Sequence, residues 1–94
     1  MKYRISRRAD QDIVTLFLYG AAEYGLEQSE QYQQGLRQAL EFISENPRVA
    51  RERPELHGLR FHRYRAHVIA YAIRTRNILI VRILHARQDW LHHL

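Results

Sequence analysis

The hydrophobic period of this chain switches from helical to strand-like at Asn46-Pro47, and that switch limits the fold more than any other feature. Before it, after a short alternating opening, apolar residues recur at helical spacing. After it, they alternate or run together as strands do. The residue before a proline is pushed out of helical ψ, so the helical half must stop there. Ninety-four residues divided this way supply two helices and a few short strands, which is one core and one domain over residues 1–94. Apolar residues make up 46% of the chain, enough to fill that core and to exclude a disordered chain.

The elements read as follows. Lys2 to Ser6 alternates with Tyr3 and Ile5 on one face, which predicts a short strand. Ser6 is placed to cap a helix, with Asp10 and Asp12 at its electropositive end. Ala9, Ile13, Leu16, Phe17, Gly20 and Tyr24 form its apolar stripe, and Gly25 stops it. A second helix starts near Glu27 after a link of two or three residues. Its stripe is Ser29, Tyr32, Leu36, Ala39, Leu40 and Ile43. The prolines and Gly58 mark 47–58 as a loop. Strands follow at 59–65, 68–73 and 78–84, joined by hairpin turns. The near-continuous apolar run of the last suggests a central strand covered on both faces. The expected class is α+β, ordered β-α-α-β-β-β, with a helical hairpin on one face of a small, mostly antiparallel sheet.

Charge is segregated along this order. Residues 1–8 carry four cations and no acid, residues 9–45 one Arg against seven acids, and residues 46–94 ten Arg against three acids. An acidic hairpin between basic ends points to a polyanionic partner for the basic part, nucleic acid or acidic peptide. A GC-rich genome would account for arginine over lysine but not for the segregation.

Several chemistries drop out. There is no cysteine, hence no disulfide, thiolate zinc site or cysteine nucleophile. The four glycines form no phosphate loop, and His92 and His93 are adjacent rather than spaced for a metal. No metal or cofactor is expected. Met1-Lys2-Tyr3-Arg4 lacks the apolar stretch of a signal peptide and no run reaches membrane-spanning length, so a cytoplasmic location is expected. What remains is the arginine and histidine set near the last three strands. Arg60, Arg82 and His85 are of the types an RNA-cleaving site needs: a proton-transfer group and cations for the phosphorane. Against that stands the plainer reading of packed histidines and rim cations protecting an edge strand. Strand alternation points Arg82 and Leu84 one way and Ile83 and His85 the other. An Arg/His/aromatic lining is expected on the sheet face away from the helices.

The residues also resemble a family. Tyr3-Arg4-Ile5-Ser6 with Ala9-x-x-Asp12-Ile13 looks like the opening of ParE-type toxins of the RelE/ParE superfamily. Tyr24-Gly25, Gln28-Ser29-x-x-Tyr32, Leu36, Ile43 and Pro47 continue the pattern, as do Gly58-Leu59-Arg60 and Ile69-Ala70-Tyr71. The most specific piece is Arg82-Ile83-Leu84-His85-Ala86-Arg87-Gln88-Asp89. Ala50, where glycine is common in the family, and Ser29, where alanine is usual, depart from the pattern and bear on packing.

The resemblance implies the toxin half of a type II toxin–antitoxin pair, of the kind associated with plasmid stabilisation. ParE-like toxins inhibit DNA gyrase, and RelE-like relatives are ribosome-dependent mRNA endoribonucleases. A ParD-like antitoxin, acidic and folding on binding, would neutralise the chain and supply the contact with operator DNA. Antitoxin contacts are expected at Arg60, Arg63, Arg65, Phe17 and Tyr24, and target contacts at Arg82, His85, Arg87, Asp89 and Trp90. The RNA-cleaving branch carries a cluster of Lys, Arg and a terminal Tyr or His. Here Lys2 is the sole lysine and the tail Trp90–Leu94 has no tyrosine, which favours gyrase inhibition without catalysis. Under the enzymatic alternative, Arg60, Arg82 and His85 would be catalytic. Trp90 is read as either a core cap or a target anchor.

Overall fold

A computed structural model describes residues 1–94. The expected class and order are what it contains. Strand β1 (Lys2–Ile5) leads into helix α1 (Arg7–Tyr24) and helix α2 (Leu26–Glu45). Strands β2 (Arg60–Tyr64), β3 (His67–Ile73) and β4 (Asn77–His85) follow. Short 3₁₀ turns at Pro54–Leu56 and Trp90–His93 complete the chain. The sheet order is β1-β4-β3-β2, with β1 parallel to β4 and the other pairs antiparallel. Placing β1 beside β4 makes the last strand central and closes the chain's two ends into one layer. No helix is long and apolar enough to cross a membrane.

Local chemistry explains the boundaries. Ser6 Oγ accepts from Ala9 N–H at 3.0 Å, capping α1, and donates to the Val81 carbonyl at 2.8 Å, which fastens the cap to β4. The helices are joined by Gly25 alone, a shorter link than the two or three residues expected. At φ 95° and ψ 154° this residue turns the chain in one step, a conformation L side chains avoid. Its N–H ends α1 on the Ala21 carbonyl, and its carbonyl takes the Ser29 N–H to start α2 at Leu26.

The core lies between the hairpin and one sheet face. Leu36, Leu40 and Ile43 of α2 and Ala9 of α1 meet Ile69, Tyr71, Ile78, Ile80 and Ile83, all buried. The stripe expected on α2 is the stripe that packs. That of α1 packs less completely. Ala9 is buried, Ile13, Leu16, Phe17 and Gly20 are half-buried, and Tyr24 is 63% exposed, outside the core to which its spacing assigned it. Helix α1 therefore leaves apolar surface uncovered at its C-terminal half.

Two further features position the functional surface. The register of β3 against β4 slips at Ala70/Tyr71, so that Ala70 faces Arg82 while Tyr71 faces Ile80. Val81 is the extra residue, a β-bulge that restores Ile83 to the core side after Ile80. The loop after α2 is pinned from below. Tyr71 Oη donates to the Pro47 carbonyl at 2.8 Å, and Arg60 Nη1 donates to the Ala50 carbonyl at 2.7 Å.

Candidate functional site

The uncovered half of α1 forms one wall of a cleft of about 630 Å³. Leu16, Phe17 and Gly20 come from α1, Ser29 and Tyr32 from α2, His67 from β3, and Ile83 and His85 from β4. The walls are held at fixed separation by a close helix crossing. A methyl on Gly20 would stand 2.8 Å from Ser29 Oγ, and that hydroxyl donates to the Phe17 carbonyl at 2.8 Å. Ser29 is thus a satisfied buried polar group tying one helix to the other.

At the mouth, β3 and β4 place His67 directly opposite His85, with ring centroids 5.2 Å apart and nearly perpendicular. His67 Nδ1 lies 2.8 Å from Tyr32 Oη, and Tyr32 Oη accepts the Ala66 N–H at 3.2 Å. His67 Nδ1 is the one acceptor in contact with the Tyr32 hydroxyl, and assigning the phenol proton to it puts the proton of the neutral imidazole on Nε2. Burial, with the neighbouring His85 in support, pushes the His67 pKa down to about 4. Burial also raises that of the Tyr32 phenol, keeping it a donor. His85 Nδ1 accepts the Arg87 N–H at 3.1 Å, so His85 carries its proton on Nε2 as well.

Past Ile5 the open edge of β4 is closed by side chains. Asp12 Oδ2 accepts from Arg82 Nε at 2.7 Å and from the Ile83 N–H at 2.9 Å, and Oδ1 accepts from Arg82 Nη2 at 3.0 Å. Gln88 Oε1 accepts the next outward amide, that of His85, at 3.2 Å. Arg82 Nη1 also donates to the His93 carbonyl, which binds the tail to the sheet.

The sequence-derived candidates separate into distinct places. Phe17 lines the cleft, with Tyr24 at its exposed end. Arg63 and Arg65 flank the β2–β3 turn. Arg65 takes φ 49°, and Arg63 Nε donates to the Arg65 carbonyl at 2.7 Å. Arg60 is only 13% exposed and holds the Ala50 carbonyl, so it fastens the loop rather than offering a free cation. Arg82, equally enclosed, is held by Asp12. The trio Arg60, Arg82 and His85 does not converge. Arg60 and Tyr64 bound β2, and Tyr64 is the residue that leads across His67 to His85. Four residues of strand, roughly 13 Å, separate the two ends. The expected Arg/His/aromatic lining of the far sheet face is also divided. His62 stacks on Phe42 of α2, on the helix side. On the far face Phe61 is covered by Trp90 at 4.7 Å between centroids, with the Arg53 guanidinium over the same ring. Trp90 is half-buried there as a cap on Phe61, while Arg87 and Asp89 remain exposed.

Nothing in the sequence marks Tyr32, His67, Asp12 or Gln88 as a site residue. Asp12 carried only a helix-start signal, and its partner is 70 positions away. The Tyr32–His67 bond spans 35 positions. The accessible clue was weak: two histidines at the facing ends of adjacent predicted strands.

Known proteins agree with this architecture. Residues 3–90 match the model for the ParE toxin of the parDE type II toxin–antitoxin system. Toxin ParE1 of Caulobacter vibrioides is 32% identical over 93 residues, covering 98% of this chain and 96% of its own. A solved chain of the chromosomal ParDE system of P. aeruginosa superposes with a TM-score of 0.77 at 19% identity. The match covers 90% of this chain and 95% of that one. At that identity the likeness speaks to the fold; the family match and the Caulobacter relative, each over nearly the full chain, establish that this chain belongs to the ParE toxin family of type II toxin–antitoxin systems.

Proposed function

We propose that this ParE-family toxin acts by binding rather than by catalysis, inhibiting DNA gyrase and being neutralised by an acidic, ParD-like antitoxin that occupies the α1–α2 cleft. The observation that carries the antitoxin half is the cleft itself. Apolar surface of α1 is left half-covered, and cationic Arg63 and Arg65 flank the turn that leads into Ala66 and His67 of the cleft lining. An amphipathic acidic segment that folds on binding satisfies both properties at once. Gyrase inhibition is supported by family membership and by the dispersal of the arginines a nuclease would need. Arg60 and Arg82 are each committed to internal contacts. The exposed Arg87 and Asp89, beside the Trp90 cap, are the target contacts this reading selects.

The test is a supercoiled-plasmid assay with purified gyrase and ATP. Adding the toxin is expected to accumulate cleaved plasmid, and adding antitoxin first is expected to prevent that accumulation. Unchanged plasmid together with cut mRNA on translating ribosomes would overturn the reading. Operator DNA is contacted through the antitoxin alone, so toxin by itself should not shift an operator fragment.

A further inference from the structure

The paired histidines at the cleft mouth have a use that the fold does not consume. His85 Nδ1 accepts a backbone amide, and with the Tyr32 hydroxyl assigned as donor His67 Nδ1 is an acceptor too. Both therefore present Nε2–H, a donor with no assigned acceptor. In these tautomers Nε2 offers a proton rather than the lone pair a metal would need. Two N–H donors on rings whose centroids are 5.2 Å apart, with cations in the adjoining turn, suit an oxyanion instead.

We propose that His67 and His85 form a receptor for a single carboxylate side chain carried by the acidic segment that fills the cleft. The proposal rests on the antitoxin reading above and adds the recognition chemistry to it. The groups facing His67 are Tyr32 from α2, Tyr64 from β2 and His85 from β4, with Arg63 and Arg65 in the adjoining turn. None is an acid, so no carboxylate among them competes for the donors. Asp12, the carboxylate that lines the same cleft, is occupied by Arg82 and Ile83. The arginines of the turn add a favourable field for an incoming anion. The apolar cleft floor, with Phe17 and Leu16, fixes the register by anchoring the side chains next to the carboxylate. An exposed His85 costs the fold little to alter, which makes it the residue to test.

The experiment uses the purified toxin and its purified antitoxin. Long-range proton–nitrogen correlation of the imidazoles should show both rings as Nε2–H tautomers in the free toxin, with both Nε2 signals moving in the complex. His85→Leu is expected to weaken the complex about tenfold, as loss of one charge-assisted hydrogen bond does. His85→Gln, whose amide N–H stands near the position of Nε2–H, should bind within about twofold of wild type. Equal affinity for wild type and His85→Leu, or equal loss in Leu and Gln variants, would overturn the carboxylate receptor while leaving the antitoxin reading intact. Absence of any complex with wild-type toxin would overturn both. Movement of both rings on adding a short RNA, but not antitoxin, would overturn it in favour of a phosphate ligand.

Discussion

Asp12 and Arg82 form a two-point ion pair across 70 residues of sequence, at 2.7 and 3.0 Å, and the same carboxylate receives the Ile83 amide. The pair joins the first helix to the last strand where β1 has ended. Its side chains are 18% and 13% exposed, so it is more than a surface contact. Removing one partner leaves an enclosed charge and an unpaired amide. Asp12→Ala is expected to lower stability by about 2–4 kcal/mol in urea unfolding. Adding Arg82→Met should restore part of that loss, because the orphaned guanidinium goes too. Equal stability of Asp12→Ala and wild type would show that the pair does not hold the helix.

Gly35 is required by Tyr64. A methyl at position 35 would overlap the Tyr64 hydroxyl, which donates to the Tyr32 carbonyl at 3.1 Å. Gly35→Ala should cost about 1–3 kcal/mol despite its better helix propensity. Tyr64→Phe in that background removes the overlapping atom and should recover part of the loss. A Gly35→Ala protein as stable as wild type would contradict this packing.

Stability should fall as pH drops from about 6.5 towards 4. His67 is held neutral by burial to about pH 4, whereas in the unfolded chain it protonates at the ordinary histidine value. The unfolded state thus binds more protons in that window, and the sign of linkage is loss of stability on acidification. Discounted for partial exposure, the effect is about 2 kcal/mol. His62, also lowered by burial, acts in the same direction. Urea midpoints at pH 7.5 and pH 4.5 measure it, and His67→Gln should flatten the profile. An equal slope in that variant would assign the effect elsewhere.

Arg87 tests the target surface without disturbing the fold. It is exposed, and its backbone amide, rather than its side chain, serves His85. Arg87→Glu should keep the unfolding midpoint within about 0.5 kcal/mol, as surface substitutions do, yet reduce gyrase inhibition at least tenfold. Trp90→Ala would uncover Phe61 and is expected to shift both readouts, so it is the control for damage to the cap. Inhibition unchanged in Arg87→Glu would remove this surface from the account.

What was legible in the sequence was what is local. The α2 stripe Leu36, Leu40 and Ile43, the stop at Pro47 and the three strands follow from spacing and backbone sterics, and each lies where its period put it. Pairing across long separations left no such trace. The parallel β1–β4 contact brings Lys2 beside Asn77, and no pattern within either strand specifies the other. The Val81 bulge depends on how β4 must re-enter the core, which an alternating pattern does not encode. Arg60 and Arg82 looked like free cations because their acceptors, the Ala50 carbonyl and Asp12, are supplied by tertiary structure. For the same reason the His67–His85 pair became visible only once β3 and β4 were in register.

The central claim is that this ParE-family toxin disables gyrase and leaves RNA intact. Its most direct test is induction of the toxin without antitoxin in a bacterium carrying a DNA-damage reporter, with protein synthesis followed in parallel. The account predicts that the damage response rises while amino-acid incorporation continues through the first minutes. Prompt arrest of incorporation with a silent damage reporter would contradict it.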